Sequence, residues 1–209
     1  MSIDVLLNSF VVLFVVVDPI GNAPMFAGLT RGASEGERRF LAVKSILLSS
    51  AILLVFFLAG NSLLAALGIG VPAFRIAGGI LLFLVAIDMV FARHSGLRGT
   101  TPGEREEAQE REDISVFPLA FPLIAGPGAI TTVLLMASHG GPWPAVLIRL
   151  GIIVAVLSLT LTSLLLTARI MEWLGETGTN VVDRLLGLIL AAIAVQFVVD
   201  GIGGAFGIH

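Results

Sequence analysis

The sequence has no cysteine and few charged residues, and both absences narrow what the protein can be. Without cysteine, disulfides and thiolate metal sites are excluded. Charged residues make up 13% of the 209 residues, whereas soluble domains carry about 25%. Hydrophobic residues make up 56%, and the mean hydropathy is +1.02. A core of this size cannot hide that much apolar surface, so the sequence predicts an integral membrane protein. The net charge of −3 gives no reason to expect nucleic-acid binding.

Six stretches are long and apolar enough to cross a bilayer, which takes roughly 20 residues. They span residues 5–29, 40–66, 74–91, 114–138, 145–170 and 181–201. Residues 1–4 contain no basic residue, which a secretory signal peptide would need, so the first stretch is predicted to be a retained span. We therefore expect an all-α membrane protein with six transmembrane helices.

Basic residues predict the orientation of these spans through the positive-inside rule. Two of the twelve, Arg75 and Arg149, fall on the side of the chain termini. The other ten fall on the opposite side: Arg31, Arg38, Arg39, Lys44, Arg93, Arg98, Arg105, Arg111, Arg169 and Arg184. We expect both termini to lie outside the cell and the charged loop 92–113 to lie in the cytoplasm.

The two halves of the chain resemble each other in two places. Pro19 and Pro127 stand in similar Pro/Gly motifs and are 108 residues apart, and Arg75 and Arg184 open similar spans and are 109 apart. Three spans per half is an odd number, so a duplicated second half would enter the membrane inverted. This predicts two inverted three-helix repeats, residues 1–105 and 106–209, within one transmembrane domain. The alternative is a chance likeness between apolar segments that contain Gly and Pro.

The first and fourth predicted spans carry helix-breaking residues near their middles, which predicts helices broken at the bilayer midplane. The first break is DPIGNAP, residues 18–24, and the second is AGPG, residues 125–128, preceded by Pro118 and Pro122. Proline has no N–H and glycine lets the backbone unwind. Backbone groups left unpaired in lipid cost several kcal/mol, so they must face protein or a watery cavity. Simple kinking for packing is the alternative.

Interrupted helices offer binding groups of both signs. Free N–H groups at a helix start suit a carboxylate, and free carbonyls at a helix end suit an ammonium group. Asp18 adds a negative charge, Asn22 an amide, and Thr131 and Thr132 hydroxyls. Because no Lys or Arg lies at this depth, the pattern favours a small zwitterionic substrate.

Asp88 lies inside the third span, five residues before Arg93. An intramembrane carboxylate is a functional candidate, and we interpret this one as a gating or coupling residue rather than a substrate contact. The spans contain no paired acid and base, catalytic Ser–His pair or cluster of metal ligands, so we expect neither an enzyme, a metal site nor a cofactor. No ATP-binding motif is present, and transport would draw on a gradient, with H⁺ or Na⁺ as the coupling ion. Coupling to a proton through Asp18 is one hypothesis, because a carboxyl inside the membrane could exchange protons during transport.

The segments VVDPIGNAP (residues 16–24) and FPLIAGPGAITT (residues 121–132) closely resemble the MarC family of bacterial and archaeal inner-membrane proteins, and the resemblance covers essentially the whole chain. It implies a prokaryotic inner-membrane protein related to lysine exporters, with some members transporting glycine or alanine. It also implies substrate contacts at the residues of both motifs: Asp18, Pro19, Gly21, Asn22, Pro24, Gly126, Pro127, Gly128, Thr131 and Thr132.

These observations lead to one hypothesis and its rivals. The hypothesis is a secondary transporter of small neutral amino acids that works by alternating access around the two breaks, with export and ion coupling both open. The rivals are a channel or facilitator for a small neutral solute, an exporter of another metabolite or drug, and an assembly protein without transport. The expected partners are the lipid bilayer and the zwitterion, and a homo-oligomer is compatible with the sequence.

Overall fold

The computed structural model describes residues 3–91, 114–138 and 140–207, and every regular element in them is a helix. The loop 92–113 and Arg93, for which the sequence predicts a cytoplasmic position, lie outside the described residues. The helices are α1 (Ile3–Val17), α2 (Asn22–Leu29), α3 (Glu35–Ala66), α4 (Val71–Phe91), α5 (Ser115–Ile124), α6 (Pro127–Ser138), α7 (Trp143–Leu165) and α8 (Thr167–Phe206).

Five segments of the described chain are long and apolar enough to cross a membrane, and the bent pair α5 and α6 makes a sixth if it is counted as one span. The five are Val5–Leu29, Glu35–Gly60, Val71–Phe91, Trp143–Leu165 and Thr177–Phe206. The predicted all-helical membrane architecture is therefore confirmed, and the described helices provide five to six candidate spans where the sequence predicts six.

Two helix ends explain where the predicted boundaries differ from the observed ones. The predicted fifth span runs to residue 170, but α7 ends at Leu165, where the Thr167 hydroxyl donates to the Ser163 and Leu164 carbonyls at 3.2 and 2.7 Å. The predicted sixth span begins at residue 181, whereas α8 begins at Thr167 and is interrupted at Gly175, where φ is 61°. The polar residues around Gly175 therefore belong to a helical segment that precedes the apolar span.

Hydrophobic side chains cover the outside of the bundle as well as its core. Leu13, Leu53 and Val156 are fully buried, from α1, α3 and α7 respectively. On the outer surface Leu58 and Trp173 are 65% and 86% exposed, among many other large apolar side chains. A monomeric soluble protein rarely leaves such a surface in water, so lipid is the solvent it fits.

α4 and α8 pack closely and run antiparallel, with glycines at the contact. A β-carbon added at Gly79 would come within 3.0 Å of the Ala194 carbonyl oxygen and the Val198 side chain. Near the other end of α4, a β-carbon at Gly187 would come within 3.0 Å of Met89. Small residues let membrane helices approach at backbone distance, which explains the glycines that open the third and sixth predicted spans.

α5 is an irregular helical segment because Pro118 and Pro122 remove two of its amide donors. Its hydrogen bonds reach five residues back, from the Leu119 amide to the Ile114 carbonyl at 3.3 Å and from the Ala125 amide to the Ala120 carbonyl at 2.9 Å. This wide segment leads directly into the second break.

Candidate functional site around two interrupted spans

The first break lies between α1 and α2 and is organised by the side chain of Asp18. Asp18 is fully buried and has a φ of 47°, a left-handed conformation that Asp adopts more readily than most residues. Its Oδ1 accepts a hydrogen bond from the Gly21 amide at 3.0 Å. Pro19 follows it without an N–H, so the helical hydrogen bonding of α1 stops here.

Asn22 closes the end of α1. Its side-chain amide donates to the Val17 carbonyl at 2.8 Å, and its backbone amide donates to the Asp18 carbonyl at 3.1 Å. Pro24 stands in the first turn of α2, where a missing N–H breaks no intrahelical bond. The sequence predicts Asn22 as a substrate contact, and in the structure its amide donor serves the backbone.

Two residues from the second half of the chain lie against this first break. The Ser163 hydroxyl of α7 donates to the Pro19 carbonyl at 2.5 Å. A β-carbon added at Gly21 would come within 3.0 Å of both Asp18 Oδ2 and Asp183 Oδ1. The Asp183 carboxyl of α8 therefore lies close to the Asp18 carboxyl, and Gly21 stands next to both.

The second break lies between α5 and α6 and bends its span by 58°. Gly126 is required at this bend, since a β-carbon there would come within 3.0 Å of the Pro122 carbonyl oxygen. Pro127 is the first residue of α6, a position that suits its fixed φ and missing N–H. A β-carbon at Gly128 would lie 2.9 Å from side-chain carbons of Val16 and Leu82, so three spans meet here.

A small cavity of about 20 Å³, room for about one water molecule, opens beside the second break. Its lining combines the first, third and fourth spans: Val16, Val85, Pro122, Leu123, Gly126, Pro127, Gly128 and Ala129. Val16 also links the cavity to the first break, because it precedes Asp18 by two residues.

Three of the ten predicted substrate contacts, Gly126, Pro127 and Gly128, line this cavity. Thr131 and Thr132 lie further along α6. The Thr131 methyl group packs where a Gly78 β-carbon would stand, and the Thr132 hydroxyl donates to the Gly128 carbonyl at 2.9 Å. Asp88 is buried in α4 one turn after Val85, so the two residues share a helix face.

Sequence reasoning missed the apolar wall of the cavity and the two residues that contact the first break. Val16, Val85 and Leu123 are ordinary members of hydrophobic runs, and nothing in a run distinguishes a cavity lining from a lipid contact. Asp183 did carry a signal, because it is a carboxylate just inside an apolar span.

The residues that the structure describes contain no group of three or more His, Cys, Asp or Glu side chains that could hold a metal ion. The arrangement instead offers backbone groups at two interruptions, a pair of carboxyls and a small, mostly apolar cavity. Together with the lipid-compatible surface, it defines the class of the protein: a polytopic, all-helical integral membrane protein.

Comparison with known sequences narrows the class to a family. The model of the MarC family integral membrane proteins matches residues 3–206, and the chain belongs to this family. It is 40% identical to the UPF0056 membrane protein YvbG of Bacillus subtilis over 99% of this chain and 98% of that protein. It is 38% identical to the UPF0056 membrane protein MJ1677 of Methanocaldococcus jannaschii over 98% of this chain and 99% of that protein.

The name of one bacterial relative includes its membrane. The UPF0056 inner membrane protein YhgN of Escherichia coli is 35% identical over 94% of this chain and 95% of that protein. No solved structure shows a significant match to this fold.

Proposed function

We propose that the protein is a secondary transporter of small neutral amino acids such as glycine and alanine, working by alternating access around its two interrupted spans. The observation that supports this most is the cavity beside the second break. Gly126, Pro127 and Gly128 line this cavity. Val16, which stands two residues before Asp18 at the first break, lines it as well. A cavity shared by two interrupted spans is the arrangement that many secondary transporters use for their substrates.

The chemistry around the cavity favours a small zwitterion. The cavity of about 20 Å³ holds about one water molecule in this conformation, so a substrate would enter only when the site widens during alternating access. The first amides of α6, at Gly128 and Ala129, precede the intrahelical hydrogen bonds and suit a carboxylate. Pro19 has no N–H to donate to the Val15 carbonyl. This carbonyl could therefore accept a hydrogen bond from an ammonium group near the first break. The apolar lining is compatible in chemistry with a hydrogen or methyl side chain.

Corresponding helix positions support the inverted repeat on which alternating access depends. α3 and α7 begin at Glu35 and Trp143, and α1 and α5 end at Val17 and Ile124. These offsets of 108 and 107 residues match the offset between the proline motifs. α4 and α8 are the third spans of the two halves. If the halves are inverted repeats, these two helices must run antiparallel, as they do.

The remaining expectations follow from this proposal. Both termini lie outside and the loop 92–113 lies in the cytoplasm of a prokaryotic inner membrane, with H⁺ or Na⁺ as the coupling ion. The protein is a carrier and not an enzyme. Labelling of single cysteines introduced at exposed loop positions tests the orientation, since the native chain has no cysteine to interfere.

Counterflow in proteoliposomes tests the transport proposal. We expect labelled alanine or glycine to accumulate in vesicles preloaded with the same unlabelled amino acid, and labelled leucine to accumulate far less. Pro127→Ala should reduce the accumulation at least tenfold because it alters the start of α6 at the cavity. Pro144→Ala is the matched control, since Pro144 is also in the first turn of a helix but is exposed at the start of α7.

The possible results separate the proposal from its rivals. Accumulation by the protein and by Pro144→Ala, but not by Pro127→Ala, supports a carrier with its site at the second break. Uptake that equilibrates without counterflow indicates a channel or facilitator. A folded protein that moves neither amino acid overturns the substrate assignment, and a screen of other metabolites and drugs then follows.

A further inference from the structure

The half-helix that follows each break is tied at its far end by an arginine from the next span. Thr30 caps the end of α2, and its carbonyl accepts a hydrogen bond from Arg38 Nε of α3 at 3.3 Å. Gly140 lies just after the end of α6, and its carbonyl accepts a hydrogen bond from Arg149 Nη2 of α7. The arginines reach back over eight and nine residues respectively. The same kind of contact therefore occurs in both halves of the chain.

The chemistry of these contacts makes them strong ties. Carbonyls at the end of a helix carry a partial negative charge, so a guanidinium group beside them is favourable. A hydrogen bond with a charged donor is stronger than one between neutral groups. Arg149 is only 5% exposed, and Arg38 is partly buried. Each arginine therefore restrains the end of the half-helix before it.

The two contacts lie at opposite ends of the bundle. Arg38 is in the first turn of α3, and Gly60 stands 22 residues, or about 33 Å of helix, further along. A β-carbon at Gly60 would meet the Leu134 side chain of α6, and the Ser49 hydroxyl lies 3.4 Å from the Ala120 carbonyl of α5. α3 and the bent span α5–α6 therefore run in the same direction. The link after α6 lies at the end of the bundle that is distant from the start of α3.

The cavity lies between these two contacts along the chain. Ala129 lines it from the start of α6, and Val16 lines it six residues before α2 begins. α2 and α6 therefore lead away from the cavity in opposite directions, α2 toward Arg38 and α6 toward Arg149. A half-helix tied at its far end stays in place, whereas a released one can swing aside and widen the cavity toward its own end.

The third span offers less freedom to move. α4 contributes Val85 to the cavity and packs against α8, with no space for a methyl group at Gly79 or Gly187. Because α4 is held along its length, a movement that widens the cavity costs less in α2 or α6.

We propose that Arg38 and Arg149 are two latches that restrict the cavity toward opposite ends of the bundle. With both contacts formed, as in this structure, the cavity has room for about one water molecule. Release of Arg38 widens it toward the start of α3, and release of Arg149 widens it toward the start of α7. The use of the latches in transport rests on the proposed function, in which one is released at a time. The latches themselves can be tested without any substrate.

Labelling of one cysteine at the cavity from either side of the membrane is that test. Val85→Cys replaces a cavity-lining side chain by a smaller one, and the native chain has no cysteine. Right-side-out and inverted membrane vesicles are treated with a small charged methanethiosulfonate that does not cross lipid. Single cysteines at the exposed positions Gly36 and Trp143 identify the end of the bundle that each preparation presents.

We expect slow labelling of Val85→Cys from both sides. Added Arg38→Gln or Arg149→Gln should raise the rate about tenfold or more, each from its own end alone, because each removes a hydrogen bond with a charged donor. Lys at either position restores a charged donor and should give a lower rate than Gln. Arg39→Gln is the control, since Arg39 is the exposed neighbour of Arg38, and it should change neither rate.

Two results would overturn the latches. Faster labelling from both sides in a single Gln variant would mean that the arginine only stabilises the bundle. An unchanged rate in a folded Gln variant would mean that its contact does not restrict the cavity. If Arg149→Gln fails to fold, Arg149→Met takes its place with the same expected result, because it keeps an apolar stem at a buried position without an unpaired polar head.

Counterflow then separates the latches from the proposed function. We expect either Gln variant to exchange less alanine or glycine than the wild type, since a carrier held open to one side cannot complete its cycle. Wild-type exchange in a variant that labels from one side would contradict the role in transport. If the wild-type protein moves neither amino acid, the transport proposal fails, while the labelling rates still decide whether the latches exist.

Discussion

The two interrupted spans are built in different ways. The first break is closed by polar side chains: the Asp18 carboxylate binds the Gly21 amide, and the Asn22 amide binds the Val17 carbonyl. The second break is shaped by the backbone, through Gly126 and Pro127, and bends its span by 58°. The described cavity lies beside the second break, where the lining is mostly apolar.

This difference suggests a division of tasks that similar motifs do not reveal. A break whose groups are satisfied by its own side chains can change when one of those side chains gains or loses a proton. A break shaped by backbone and glycine keeps its form, and a small cavity lies beside it. Under the proposed function, the first break is the candidate for coupling and the second for substrate binding, and the following predictions test the structural contrast.

The largest effect should come from Gly126→Ala at the second break. The added methyl group would meet the Pro122 carbonyl oxygen, a backbone atom that cannot turn away, so we expect a loss of about 3 kcal/mol in the free energy of unfolding. Chemical unfolding in a mild detergent measures it. Gly151→Ala is the control, because nothing lies within 4 Å of its added carbon, and it should stabilise α7 by about 0.5 kcal/mol. Equal effects at both positions would show that the bend tolerates a side chain.

A smaller loss should follow Asn22→Ala at the first break. The Val17 carbonyl would lose its side-chain donor in a buried site, at a cost of about 2 kcal/mol. Asn180→Ala, at an exposed position of α8, should leave the unfolding free energy almost unchanged. An Asn22→Ala protein as stable as the wild type would mean that the first break is not closed by its side chains.

The smallest of the three effects should come from Ser163→Ala, which removes the contact between α7 and the Pro19 carbonyl. A loss of about 1 kcal/mol is typical of one such hydrogen bond. The comparison is Ser49→Ala, whose hydroxyl lies 3.4 Å from the Ala120 carbonyl beside the second break but is already bonded to Ser45 in its own helix at 2.8 Å. Ser50→Ala provides the baseline for losing a hydrogen bond within one helix, because the Ser50 hydroxyl donates to the Ile46 carbonyl of α3 at 2.7 Å. A Ser49→Ala loss larger than that of Ser163→Ala would reverse the proposed contrast.

Much of the fold could be predicted from the sequence because the lipid environment imposes length and composition on each span. The sequence also marks where the helices end and begin near Pro19 and Pro127, since a residue without an N–H is disfavoured inside a helix and suits its first turn. The helix-end details could not, because the ends at Leu165 and Gly175 depend on a local hydroxyl contact and on a glycine conformation that hydropathy does not record.

The candidate site was less predictable than the fold. The motif residues mark where the chain is interrupted, but which side chains close an interruption depends on packing between distant segments. Asp18 and Asp183 are 165 residues apart, and no local pattern relates them. Val16 and Val85 line the cavity because their helices, α1 and α4, both pack against α6 near Gly128.

The close contact of α4 with α8 has a consequence for any survey of tolerated substitutions in this chain. Gly79 and Gly187 lie against neighbouring residues with no space for even a methyl group, although neither lines the described cavity. Such a survey would rank them with the residues of the two breaks, and sensitivity alone would not separate a helix contact from a ligand site. Only an assay that scores the amount of folded protein separately from its activity would tell these architectural glycines from the glycines of the second break.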